Sequence, residues 1–264
     1  MSDEPKNRDD EQRGEQLAEG TLLSHLIELR SRLIRISIAV VGMFVILLPF
    51  SQKIFVIVSK PLVDVLPGQK MIATAVASPL LTPFKLTFFV ALFVAMPVVL
   101  YQLWAFVAPG LYKQEKRFAF PLLGSSIILF YAGIAFAYFV VFELVFGFFA
   151  SVTPQSVEMM TDIAAYLDFI TKIFLAFGLA FEVPIATVLV VWTGLTTPEK
   201  LGKARPYVFL MAFVIGMFLT PPDVISQTLL AVPVYFLYEL GILMSKLFVR
   251  QRNSKPDDAL AAED

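Results

Sequence analysis

Residues Phe118–Phe142 read FAFPLLGSSIILFYAGIAFAYFVVF, and the segment contains no charged side chain. As an α-helix it is about 37 Å long, enough to cross the ~30 Å hydrocarbon layer of a bilayer. A helix of a water-soluble protein keeps a polar face toward water, and this one has none. The segment therefore predicts a membrane-spanning helix.

Five further segments of the same kind predict an all-α membrane protein with six spans. They are Leu33–Ile54, Phe84–Val107, Leu167–Thr193, Pro206–Leu219 and Val224–Met244. The composition agrees, since 58% of the 264 residues are hydrophobic and 16% are charged, against about 25% charged in soluble domains. The last two spans are short for a bilayer, so we expect local thinning of the membrane around them.

The two ends of the chain are polar. Residues 1–20 are mostly charged and lack the apolar core of a signal peptide, so we predict a disordered segment there. Leucines at helical spacing predict a short amphipathic helix over Thr21–Arg35. We expect one membrane domain over residues 21–250 and a disordered tail over 251–264.

The distribution of basic residues predicts the orientation. Lys and Arg concentrate before span 1, between spans 2 and 3, between spans 4 and 5, and after span 6. Those on the opposite side are Lys53, Lys60 and Lys70 of the first outer loop, and the loop over Glu143–Tyr166 has none. By the positive-inside rule, both termini face the cytoplasm.

Several classes of function are disfavoured by the composition. A net charge of −1 argues against a nucleic-acid partner, and the absence of cysteine excludes disulfides and cysteine-ligated metals. The chain has one histidine and no phosphate-binding glycine loop followed by Lys-Ser or Lys-Thr. We therefore expect no metal, no cofactor and no enzymatic activity, although a solute transporter and an intramembrane hydrolase stay open at this point.

Glu182 is the acid of greatest interest, because it lies inside an apolar span. An ionisable group there costs roughly 3 kcal/mol on insertion scales, so such a group marks a functional site by default. A transporter could use it for ion coupling, but the sequence has no visible repeat of the kind that transporters show. Pro97, Pro184 and Pro233 are predicted to bend their spans, because proline removes a backbone donor.

Glu28 and Glu115 stand out on the cytoplasmic side because their neighbours are basic. Taken separately, Glu28 could pair with Arg32 one turn later, and Glu115 could be a solvated loop residue. Taken together, the two carboxylates could receive guanidinium groups in bidentate, charge-assisted hydrogen bonds.

Four motifs resemble those of the TatC family, the polytopic receptor subunit of the twin-arginine protein translocase. They are HLIELR at His25–Arg30, YQLWAFVAPGL at Tyr101–Leu111, FGLAFEVP at Phe177–Pro184 and LTPPD at Leu219–Asp223. The resemblance covers roughly residues 21–250 and implies six helices in a concave, glove-like bundle in the bacterial inner membrane.

The resemblance also implies a function. Proteins of this family bind the twin-arginine signal peptides of folded precursors and, with single-span TatA- and TatB-type subunits, export them using the proton-motive force; self-association is expected too. The residues that match functional positions are Glu28, Glu115, Arg30, Phe106 and His25 for signal-peptide binding, Glu182 inside the membrane, Gln227 and Asp223 for partner contact, and Pro61 in the first outer loop.

Overall fold

The structure is a computed structural model that describes residues 5–65, 71–107, 116–154, 160–219 and 224–260. Within these ranges the chain is helical almost throughout, and its only β pairing is an isolated bridge between Ile72 and Asp162. The predicted fold class, an all-α membrane protein, is confirmed.

The first span is longer than predicted. Helix α1 runs over Pro5–Leu47, and a 3-10 turn at Leu48–Phe50 leads into α2 at Ser51–Val65. The amphipathic helix expected over Thr21–Arg35 is not a separate element, because no proline follows Pro5 until Pro49 and the helix continues.

The second span is bent. It consists of α3 at Ser78–Val94 and α4 at Met96–Val107, which meet at 49°. Pro97 has no N–H to donate to the carbonyl of Phe93, so the helix cannot continue straight. The Tyr131 hydroxyl donates to that carbonyl instead, at 3.1 Å. The bend predicted at Pro97 is confirmed.

The third span also exceeds its prediction. It comprises α5 at Lys116–Phe136, a π-helical turn at Ala137–Val141, and α6 at Phe142–Val152. The loop predicted to begin at Glu143 is therefore wrong. The charged Glu143 does not end the helix, because the residues after it are strongly apolar.

The fourth span is α7 at Ile163–Ala180 followed by α8 at Val183–Trp192, with a turn at residues 181–182 just before Pro184. A short α9 at Pro198–Lys203 connects it to α10, Arg205–Leu219. The last helix, α11, runs over Val224–Leu260, and Pro233 does not interrupt it.

Four described helices are long and apolar enough to cross a membrane, at residues 26–64, 120–152, 163–192 and 224–247. The bent α3–α4 pair gives a fifth when it is counted as one span, and α10 is a shorter apolar helix. These helices follow the predicted order, and the count of six spans stays a prediction. Residues 5–20 and 251–260 continue α1 and α11. The predicted disorder of the two ends stays a prediction.

Aromatic side chains form the core between the third and fourth spans. Phe130, Phe142 and Phe177 are each at most 1% exposed. Two glycines allow close approach: a Cβ on Gly133 would lie 2.5 Å from the Phe177 carbonyl oxygen, and one on Gly178 would lie 2.6 Å from the Phe130 ring. This tight contact places Ser126 of α5 against the start of α8.

Candidate functional site

A cluster of polar groups lies where the middle of α1 meets the last turns of α4. The Arg32 Nε donates to Glu28 Oε1 at 3.1 Å, and the Arg32 Nη2 donates to the same oxygen. The pairing of Glu28 with Arg32, one of the two alternatives from the sequence, is therefore present in the structure.

Arg32 does more than pair with Glu28. Its Nη2 also donates to the carbonyl oxygen of Ala105 at 2.9 Å, and its Nη1 donates to Gln102 Oε1 at 3.4 Å. The guanidinium therefore connects α1 with the last turns of α4. The Arg32 side chain is 15% exposed, whereas that of Glu28 is 37% exposed. Sequence reasoning missed this bridge; the available signal was Gln102, an amide in an apolar span.

The other residues expected at this site are only partly described. Phe106 is partly buried and directly follows Ala105, so it lies beside the cluster. Arg30 is exposed on α1 and borders a shallow apolar groove with Leu29 and Leu33. Glu115 and the side chain of His25 lie outside the described residues, and the expected approach of Glu115 to Glu28 is untested.

Glu182 lies in the turn between α7 and α8. The Ser126 hydroxyl of α5 donates to Glu182 Oε2. The other carboxylate oxygen, Oε1, is buried and has no hydrogen-bond partner in the described part of the chain. Ser126 is 1% exposed and Glu182 is partly buried, so the hydrogen bond between them lies in the contact between the third and fourth spans. The structure thus places the predicted acid at a helix break with half of its hydrogen-bonding capacity unused.

The remaining predicted residues lie elsewhere. Gln227 is on α11, and a Cβ added to Gly216 of α10 would lie 3.6 Å from its carbonyl oxygen. The alternative of a hydrogen bond from its side chain to a neighbouring span has no counterpart among the described residues. Pro61 lies inside α2, 33 residues after Glu28 along the chain. Asp223 is outside the described residues.

A further carboxylate joins two outer segments. Asp162 accepts hydrogen bonds from the N–H groups of Ala164 and Ala165 at 2.9 and 3.0 Å, so it caps α7. It also accepts from the backbone N–H and hydroxyl of Thr74 at 3.0 and 2.8 Å. These hydrogen bonds to the ionised form lower the pKa of Asp162 to about 2. The sequence analysis did not single it out.

The described residues contain no group of three or more His, Cys, Asp or Glu side chains placed to hold a metal ion. The chemistry that the cluster around Glu28 can perform is recognition of cations through this carboxylate. That of the intramembrane pair is hydrogen bonding through Glu182.

Comparisons with known proteins agree on one family. The family model described as "Sec-independent protein translocase protein (TatC)" matches residues 24–233. A protein of that name from Azotobacter chroococcum mcd 1 is 60% identical over 222 residues, which cover 84% of this chain and 87% of the relative. The one from Escherichia coli (strain K12) is 55% identical over 237 residues, which cover 89% and 92%.

Solved structures give the same result. A crystal structure described as "Twin Arginine Translocase Receptor- TatC" superposes with a TM-score of 0.77 at 38% identity, and the match covers 84% of this chain and 98% of that one. A second crystal structure of that receptor, in DDM, gives a TM-score of 0.78.

Proposed function

This chain belongs to the TatC family of Sec-independent protein translocase proteins, and from that premise we propose that it binds the twin-arginine signal peptides of folded precursor proteins at Glu28. Because the family is one of protein translocases, we set aside the solute transporter and the intramembrane hydrolase.

The observation that supports this site is that Glu28 already binds a guanidinium group. Arg32 occupies its Oε1, and within the described residues Oε2 accepts no hydrogen bond. The carboxylate is also the more exposed partner of the pair. A second guanidinium, supplied by the signal peptide, can therefore reach Oε2 without displacing Arg32. Charge-assisted hydrogen bonds of this kind are roughly twice as strong as neutral ones.

The second arginine of the signal needs a second acceptor, and we propose Glu115 for this role. Phe106 would contribute apolar surface beside the pair, with Arg30 and His25 at its edge. The exposed leucines of α1, among them Leu29 and Leu33, offer an apolar surface to the hydrophobic part of the signal.

We also propose that TatA- and TatB-type single-span subunits contact the chain at Gln227, Asp223 and Glu182. Two of these have hydrogen-bonding capacity that the described residues do not use, the Gln227 amide and Glu182 Oε1. An unpaired polar group inside a bilayer is costly, so a polar residue on a partner helix would stabilise the complex. Export would draw on the proton-motive force, in the inner membrane, with both termini cytoplasmic.

Binding of a fluorescent twin-arginine peptide to the purified full chain tests the proposal. We expect Glu28→Ala to weaken binding by roughly tenfold or more, since a hydrogen bond to a charged group contributes about 1.5–3 kcal/mol. Glu115→Ala should act similarly, and the double variant should lose more.

Glu239→Ala is the matched control. Glu239 receives two hydrogen bonds from Arg205, at 2.6 and 2.8 Å, so it is another ion-paired acid near the same membrane face. Its loss should leave peptide affinity unchanged. Equal affinities for the wild-type chain and the Glu28/Glu115 double variant would show that the peptide binds elsewhere.

A further inference from the structure

A second polar site lies far from Glu28, in a cavity of about 370 Å³ between α2 and the π-helical turn. This volume is within the range of roughly 300–1,000 Å³ that holds small molecules. Its lining combines three charged and three uncharged residues, which are Lys60, Asp64, Glu143, Pro61, Tyr138 and Phe139.

The depth of the cavity follows from helix length. Lys60 lies 25 residues beyond Arg35 along α1 and α2, and Glu143 lies 26 residues beyond Arg117 along the third span. At 1.5 Å per residue both distances are about 38 Å. The hydrocarbon layer is about 30 Å thick, and headgroups extend the bilayer to roughly 40–45 Å. Measured from the basic residues at one surface, the cavity therefore lies in the headgroup layer of the other.

The charged groups of the cavity are not neutralised by one another. Lys60 and Asp64 are one helical turn apart on α2 and could form an ion pair, yet neither they nor Glu143 makes an ion pair or side-chain hydrogen bond with another described residue. All three are exposed to the cavity or its mouth. The site offers one cation and two carboxylates to a ligand.

A side-chain hydrogen bond holds the two sides of the cavity in place. Pro61 has no N–H to donate to the carbonyl oxygen of Ile57, four residues earlier. The Tyr138 hydroxyl donates to that oxygen at 2.9 Å. This hydrogen bond holds the π-helical turn against α2 and fixes the separation of Lys60 and Asp64 from Glu143.

We propose that this cavity binds the headgroup of a phospholipid with a primary ammonium, as in phosphatidylethanolamine. Lys60 binds the phosphate, and Asp64 and Glu143 accept hydrogen bonds from the ammonium. A headgroup whose ammonium is fully methylated has no N–H to donate, and an anionic glycerol headgroup places no cation beside the two carboxylates. The acyl chains lie along the apolar outer surface of α2, where Val56 and Val63 are exposed.

Native mass spectrometry of the purified full chain, delipidated in detergent, tests the proposal. The probes are phosphatidylethanolamine, phosphatidylcholine and phosphatidylglycerol with identical acyl chains. We expect the ethanolamine lipid to bind about fivefold more tightly than the choline lipid. Asp64→Asn combined with Glu143→Gln should remove this preference, and Lys60→Gln should weaken binding of all three lipids, because each carries the phosphate.

Lys53→Gln is the matched control, because Lys53 is an exposed lysine of α2 that does not line the cavity. It should bind all three lipids as the wild-type chain does. Glycerophosphoethanolamine, which lacks acyl chains, should compete poorly. The proposal is overturned if the three lipids bind equally, if the cavity variants keep the wild-type preference, or if glycerophosphoethanolamine competes fully.

Each variant replaces a charged side chain by a neutral one of similar size, so folding should be preserved. Unchanged thermal unfolding and gel filtration would establish that a lost preference is an effect on the cavity.

Discussion

Glu28 and Glu182 are two carboxylates of one membrane protein with opposite surroundings. Glu28 is partly exposed and binds a cation, Arg32. Glu182 is partly buried between the third and fourth spans, has a hydroxyl as its only described partner, and has a buried Oε1 without a described partner. The first site suits binding of a second cation at Oε2, beside the Arg32 that already occupies Oε1. The second suits a neutral hydrogen bond, because a lone charge in apolar surroundings is costly.

The largest effect that can sharpen this contrast is expected at Glu182. Glu182→Gln keeps the shape and an oxygen that accepts from Ser126, and it retains donor capacity for a partner helix. Glu182→Leu removes both and leaves a buried hydroxyl without its acceptor, at about 1–3 kcal/mol. We expect the leucine variant to export a twin-arginine reporter about tenfold more slowly than the glutamine variant.

Peptide binding at Glu28 should be the same in both Glu182 variants, which separates docking from export. Equal loss of export in both would mean that transport needs the ionised carboxylate, and the contrast between the two acids would then fail.

A smaller effect is expected at Arg32. This residue fixes the carboxylate of Glu28 against Gln102 and Ala105, and discrimination of arginine from lysine depends on fixed bidentate geometry. Arg32→Gln removes a positive charge that repels the guanidinium of the peptide, but it also frees the Glu28 carboxylate to rotate, so total peptide affinity should change little. The preference for a twin-arginine over a twin-lysine peptide should fall about threefold to fivefold.

Arg35→Gln serves as the control for Arg32→Gln, because Arg35 is an exposed arginine of α1 that makes no ion pair with the described residues. It should keep the preference of the wild-type chain. If the ratio of twin-arginine to twin-lysine peptide affinity is unchanged in Arg32→Gln, Glu28 needs no support from α4.

The smallest effect is expected at Asp162, a carboxylate with a structural role. Asp162→Ala removes the cap of α7 and the contact to Thr74, so the unfolding midpoint at pH 7 should fall by a few degrees. Because the pKa of Asp162 is lowered to about 2 in the folded state, its contribution is present above its unfolded pKa of about 3.9 and is lost as the pH falls through about 2.

Thermal unfolding in detergent at several pH values measures the contribution of Asp162 to stability. The difference in unfolding midpoint between wild type and Asp162→Ala should be constant from pH 8 to pH 5. It should begin to narrow below about pH 4. A difference that narrows already at pH 6 would assign the effect to another group.

Much of this fold could be predicted from the sequence because the bilayer imposes a simple requirement. Apolar length decides which segments can cross, so the order of the apolar helices, the bend at Pro97 and the isolated acid Glu182 were predictable. The ends of the helices were harder to predict. Glu143 suggested a loop, but the apolar residues after it continue the helix. A hydropathy pattern also cannot reveal which side chains meet across spans, so the contact of Arg32 with α4 was missed.

Tyr131 and Tyr138 have a joint consequence for motion. They lie seven residues apart on the third span, and their hydroxyls donate to the carbonyls of Phe93 and Ile57, which Pro97 and Pro61 leave without a helical donor. Rotation of the third span would withdraw both hydroxyls together and expose two carbonyls to lipid, at roughly 2 kcal/mol or more each. The first three spans should therefore tilt and turn as one rigid body, and any rearrangement during transport should be concentrated in the remaining helices.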